Sequence, residues 1–182
     1  MRKLLILGVL TFLAVAPGKA QDYPKGEVAG NYTFVRINPG GGASGQNCHG
    51  GGGSAAWNAN SYLGVVGEFS GCKVTGLPSG SPSLTAVTYL FGPRLTYRTA
   101  GKLAPFGEFL FGGARFSGGG TSDNAFSMAI GGGADYKMTH SVAIRLVQFD
   151  YLYTKFNEGT GLPQHQNNFR IQAGVVFHFG GR

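Results

Sequence analysis

Charge is scarce in this chain. Asp, Glu, Lys and Arg make up 13% of its 182 residues, and only 8 of them are acids. So few ionic side chains cannot solvate the polar faces of many amphipathic helices. No apolar run reaches the roughly 20 residues a spanning helix needs. The longest, Leu4 to Ala16, stands at the start of the chain behind Arg2 and Lys3. Cysteine is limited to Cys48 and Cys72, and His49, His140, His165 and His178 fall in separate segments without metal-ligand spacing. No metal site and no cofactor are therefore expected. The glycine-rich stretches at 40–45 and 50–53 lack the Gly-Lys-Ser/Thr ending of a phosphate loop. No Ser/His/acid set falls on one strand face, so an enzyme is not expected either.

The start of the chain reads as an export signal. A positive start, a short apolar run, and Gly18 and Ala20 as small residues at the cleavage positions predict removal of residues 1–20 before Gln21. No cysteine follows that site, which argues against a lipoprotein. Cleavage takes away Arg2, Lys3 and Lys19 and no acid, so the net charge falls from +7 to +4. Much of the basicity belongs to the leader, and a nucleic-acid partner is not expected. Residues 21–26 read as a short lead and 27–182 as one domain.

Glycine is abundant, 33 of 182 residues, about two and a half times the usual share of roughly 7%. Aromatics reach 13%. Together they suit strands with close backbone approach. Alternating segments are read at 27–37, 48–58, 62–72, 84–98, 104–116, 124–137, 142–156 and 167–179. The connectors at 38–47, 73–83, 117–123 and 157–166 are long and polar; those at 59–61, 99–103 and 138–141 are short.

In the last segment Phe169, Ile171, Ala173, Val175, Phe177 and Phe179 share one face, opposite Asn168, Arg170, Gln172, Gly174, Val176 and His178. The same split sets Val87, Tyr89, Phe91, Leu95 and Tyr97 against Thr88, Gly92, Arg94 and Thr96, and Phe109 and Phe111 against Glu108, Gly112 and Ala114. Size decides which face is inside. A soluble β-protein fills its core with the bulky apolar face, but here the charged face is also the small one. An eight-stranded barrel has room inside only for side chains, so small and charged residues fit the lumen and large aromatics face lipid. The fold class expected is all-β: an eight-stranded antiparallel up-and-down transmembrane β-barrel behind a signal peptide.

With these segments in order, Tyr62-Leu63-Gly64-Val65-Val66-Gly67-Glu68-Phe69, Leu90-Phe91-Gly92-Pro93-Arg94, Gly131-Gly132-Gly133-Ala134-Asp135-Tyr136 and the Phe-ending final strand, the chain resembles the outer-membrane β-barrel family that includes the OmpA transmembrane domain and small barrels such as OmpX. The resemblance implies the cell outer membrane of a Gram-negative-type bacterium, outer-membrane lipid around the barrel, and assembly machinery engaged through 167–179. It also implies extracellular ligands met through the loops at 38–47, 73–83, 117–123 and 157–166. OmpA carries a wall-binding domain after its barrel; this sequence stops at the eighth strand, so that role is not carried over.

Parity assigns Glu68, Arg94, Glu108, Asp135, Lys137, Asp150 and Arg170 to the lumen. Arg145 and Asp150 have opposite parity: a β-bulge between them brings both inward, and without one Arg145 faces outward near the periplasmic rim. A turn centred on Gly101, a residue free to take positive φ, sets Arg94 opposite Glu108 as an ion pair. A turn about Asn60 sets Cys48 opposite Cys72, and export to an oxidising compartment makes them a disulfide near the extracellular end. Trp57, Tyr97 and Tyr136 near periplasmic strand ends, and Tyr151 and Tyr153 toward the other, are expected at the membrane boundary; parity turns Tyr62 inward. The lumen charges are either an ion-pair plug or a selectivity lining. The function is accordingly a structural or surface-interaction barrel or, alternatively, a narrow porin-like channel for small solutes. Protein isolated from outer membranes should begin at Gln21 on N-terminal sequencing; a chain that retains residues 1–20 would refute the leader.

Overall fold

The computed structural model describes residues 23–38, 45–75, 83–98, 101–156 and 165–181. Eight strands follow one another: β1 (Gly26–Ile37), β2 (Gln46–Asn58), β3 (Leu63–Thr75), β4 (Thr85–Thr96), β5 (Leu103–Gly118), β6 (Thr121–Lys137), β7 (Val142–Phe156) and β8 (His165–Phe179). Each pairs antiparallel with its sequence neighbours, and β1 closes on β8 from Gly26↔Phe179 to Arg36↔Phe169. Closure leaves no strand edge, so the interior ladder groups are paired without water. The connectors at 59–62 and 138–141 are short and lie, with the end of β4 and the start of β5, at the end that carries the described termini, the periplasmic end of such a barrel.

Burial follows the parity of the sequence: inward positions are mostly small, polar or charged, joined by aliphatics such as Val66, Leu90, Leu110 and Leu152, and Trp57, Phe69, Phe91, Leu95, Ile130 and Phe149 point outward. The facing by size has exceptions. Phe106 and Phe156 are buried in the lumen, so not every large ring faces lipid. At inward Gly92 an added Cβ would run into the carbonyl oxygen of Phe109, and at Gly112 into that of Tyr89. These inward glycines let adjacent backbones close around a tight bend.

Three local expectations are corrected. Residues 117–123 are not a long loop: β5 and β6 pair out to Gly118↔Thr121, and Gly119 and Gly120 alone turn the chain with φ of 60° and 84°. Two consecutive positive φ values are the requirement of a type I′ hairpin, and two glycines meet it. The register of β4 on β5 is that of a turn centred on Gly101, as expected, with Arg94 opposite Glu108. Second, the β2–β3 turn centres one residue later than Asn60, because the Asn60 Oδ1 accepts from the amides of both Tyr62 and Leu63 at 2.8 Å. Cys48 therefore lies opposite Val74, and Cys72 opposite Gly50. Third, Tyr62 falls in that turn and is 55% exposed rather than inward. Of the remaining long connectors, 39–44, 76–82 and 157–164 lie outside the described residues.

Cys48 and Cys72 form a disulfide all the same. They are diagonal neighbours on the lumen face with Cα atoms 5.4 Å apart, inside the range a bridge tolerates. Around them Val35, Ile37 and Ala86, with Val74 and Phe116 against them, make an apolar layer inside the outer end of the barrel. The bridge closes a sequence separation of 24 residues, for which chain entropy gives a stabilisation of about 3 kcal/mol. Reduction, or Cys48→Ala with Cys72→Ala, should lower the urea midpoint of the refolded barrel accordingly; an unchanged midpoint would show that the bridge contributes nothing.

Candidate functional site

A lumen this narrow brings inward side chains of opposite strands within contact. The period of two directs Glu27 from β1, Glu68 from β3, Arg94 from β4, Glu108 from β5, Asp135 from β6 and Arg170 from β8 to the same interior. In β7 the pairing slips between Arg145 and Gln148, and against β6 between Ala134 and Asp135. This bulge resets the parity, so Arg145, Gln148 and Asp150 all point inward and Leu146 faces out. Arg94, Arg145 and Arg170 are 2%, 0% and 1% exposed.

These groups form one connected set. Arg94 Nε donates to Glu108 Oε2 at 2.8 Å, and its Nη1 lies 3.6 Å from Glu27 Oε2. Arg98 Nη2 donates to Glu27 Oε1 at 2.6 Å, and Asn58 Nδ2 to the same oxygen at 2.9 Å. Gln148 joins the halves: its amide donates to Glu108 Oε1 at 2.8 Å and to Asp150 Oδ2 at 3.0 Å, while its Oε1 accepts from Arg145 Nη1 at 3.0 Å. Arg145 grips Asp135 with two bonds, 2.9 and 3.1 Å. Arg170 donates to Asp150 at 2.9 Å and also to Glu68 on the far side. The Phe106 ring lies between two guanidiniums, Arg94 at 4.7 Å and Arg145 at 4.6 Å from its centroid, a favourable contact for the faces of an aromatic ring.

Apolar side chains fill the neighbouring layers. Ala56, Val66, Leu90, Leu110, Ala129 and Leu152 pack together in mid-barrel. Between the charges and the disulfide layer, a void bordered by Ser70, Thr88, Asn168 and Arg170 measures about 20 Å³, room for roughly one water.

The other expected residues are placed as follows. Lys137 is the last residue of β6 and half-buried at the rim rather than deep in the lumen. Trp57 is 59% and Tyr97 60% exposed on the outer face, and the Tyr97 ring stacks on Tyr62 at 6.5 Å. Tyr136 lies under the Lys102 amine at 6.0 Å. Tyr151 meets Phe169 edge-on at 5.8 Å, and Tyr153 stacks on His165 at 6.4 Å.

Glu27, Arg98 and Gln148 were not foreseen. Glu27 had a legible signal, since it shares parity with Asn31 and Thr33. Gln148 becomes inward only once the bulge is placed, and Arg98 reaches in from beyond the end of β4. Removing one member of a buried pair strands its partner in low dielectric. Arg94→Ala or Arg170→Ala should each cost roughly 3–5 kcal/mol of unfolding free energy, and replacing Arg94 and Glu108 together by apolar residues of similar size much less. Equilibrium unfolding in detergent checks this, and an Arg170→Ala barrel as stable as the parent would contradict it.

Comparison with known proteins agrees with this architecture. Residues 5–179 match the model of the family described as outer membrane protein beta-barrel domain. No curated protein matches the sequence. Among solved structures, Neisserial surface protein A superposes with a TM-score of 0.68 at 14% identity, over 85% of this chain and 97% of that one. Ail, the attachment invasion locus protein of Yersinia pestis, gives 0.55 at 20% identity, over 85% and 99%. Ail in complex with the heparin analogue sucrose octasulfate gives 0.52 at 21% identity, over 84% and 99%. At these identities the likeness is one of fold. The protein resides in the bacterial outer membrane. The chain belongs to the outer membrane protein beta-barrel domain family.

Proposed function

We propose that this barrel is a non-enzymatic structural and surface-interaction protein, its lumen closed by an ion-pair plug and its outer end displayed to the exterior. The observation that carries the reading is the continuous bonding from Arg98 through Glu27, Arg94, Glu108, Gln148 and Asp150 to Arg170 and Glu68. A selectivity lining needs charged groups free to exchange an ion's water shell. Here arginine or glutamine engages the inward carboxylates, and apolar side chains pack in mid-barrel and fill the outer end. The β5–β6 hairpin adds to the reading for the outer end: strands of 16 and 17 residues exceed the 9–11 needed to cross, so the hairpin projects as a stiff element.

The remaining assignments rest on sequence and family. Residues 1–20 act as the export leader, and the final strand, 167–179, engages the assembly machinery. Ligands at the outer end are met by the connectors at 38–47, 73–83 and 157–166 together with the β5–β6 hairpin; the heparin analogue on Ail makes polyanions a reasonable class to screen. Planar-bilayer recording of the refolded protein separates plug from channel. The parent barrel should give no steady current across a voltage ramp. Steady ohmic current from the parent, at a level unchanged in Arg170→Ala, would replace the plug with the transport reading.

A further inference from the structure

The outer face of β1–β3 differs from the rest of the lipid-facing wall. In register across β1, β2 and β3, the outward positions are Val28, Ala55 and Gly67, then Gly30, Gly53 and Phe69, then Tyr32, Gly51 and Gly71. Elsewhere the wall carries a large apolar residue on most outward positions; here the floor is nearly bare. The result is a groove of about 590 Å³, lined by Gly53, Ala55 and Gly67 and walled by Val28, Phe69 and Phe91.

Cations stand at the head of this groove. The next rows up hold Phe34, His49 and Lys73, then Arg36 opposite Asn47. Lys73 and Arg36 are exposed, and neither pairs with a carboxylate among the described residues. Arg36 Nη1 donates to Asn47 Oδ1 at 2.7 Å, and His49 Nδ1 shares a 2.6 Å hydrogen bond with the Tyr32 hydroxyl. The described acids are elsewhere: Glu27, Glu68, Glu108, Asp135 and Asp150 are buried inside, and Asp123 is half-buried on β6, opposite Phe116 of β5.

The heights agree with a membrane. Trp57 and Asn47 lie ten residues apart on β2, about 33 Å of strand and, at a tilt of about 40°, about 25 Å of height. That is the height of the apolar band of such a barrel. With Trp57 at the inner boundary, Arg36 reaches the outer one, and the groove lies below it in hydrocarbon.

We propose that this face binds one phosphate-bearing lipid of the outer leaflet, its acyl chain laid along the glycine floor and its phosphate held by Arg36 and Lys73. The position of the cations selects this occupant over a second copy of the chain. They sit where headgroup phosphates lie, and the described part of the outer face carries no acid to meet them. Each basic residue at an anionic surface gives about a fivefold preference, so the pair should give more than tenfold.

The refolded full-length barrel in dodecylmaltoside, titrated with didecanoyl phosphatidylglycerol or phosphatidylcholine and read by native mass spectrometry, tests the assignment. The parent should retain one phosphatidylglycerol with at least tenfold preference. Arg36→Gln with Lys73→Gln should erase the preference while leaving both lipids bound equally. Gly67→Leu, where an added Cβ meets nothing within 4 Å, should weaken both lipids about tenfold. Gly30→Leu, equally open, replaces it if the first variant does not show the heat-shifted mobility of a folded barrel. Equal retention of the two lipids by the parent, retention indifferent to the leucine, or a dimer that the leucine disperses would each overturn the proposal.

Discussion

Everything in this barrel depends on closing a sheet at eight strands. The pairing of β1 with β8 removes the unpaired edge that hydrocarbon does not tolerate, and it fixes an interior just wide enough for side chains to fill. From that width follow the small and polar inward face and the bulky outward one. The guanidiniums are then a consequence. Arg94, Arg145 and Arg170 are confined where a lone charge would be costly, so each lies against at least one carboxylate.

Filling the lumen takes more than ion pairs. Gln148 is neutral, yet it links three charged groups through its amide, because an amide both donates and accepts. Phe106 separates two like-charged guanidiniums that share the periplasmic half and gives each a π face. The bulge in β7 makes this arrangement available: one irregularity places Arg145 beside Asp135 while keeping Asp150 beside Arg170. A regular strand would turn one of the two pairs toward lipid.

Much of this was legible in the sequence, because period-two alternation survives any error in strand ends. Facing was read from Arg94, Glu108 and Arg170 without knowing where a strand began. What escaped was whatever depends on a single residue of register. The Asn60 side chain moved the β2–β3 turn by one position and set Cys48 opposite Val74; parity was unaffected, so the two sulfurs still met across a diagonal. Ser117 to Asp123 look like a loop by composition, yet Gly119-Gly120 supplies a two-residue turn. Phe106 escaped because size was taken to decide facing, whereas a ring flanked by guanidiniums is a stable lumen group.

The glycines of β2 show how one composition serves both faces. Gly50 and Gly52 point inward, where an added Cβ would strike the backbone of β3; they let two strands approach closely at the bend. Gly51 and Gly53 point outward and leave the bilayer side bare. A strand thinned for curvature on one face is thinned for lipid on the other unless its outward positions carry bulk, as β4 does with Tyr89, Phe91 and Leu95. In β2 that bulk is missing between His49 and Trp57 apart from Ala55. Close strand approach accounts for the inward pair and for Gly53, whose added Cβ would meet the Ala29 carbonyl oxygen at 2.9 Å, but not for Gly51, which has only ordinary contact at 3.4 Å; an acyl chain seated under Arg36 and Lys73 supplies a cause there.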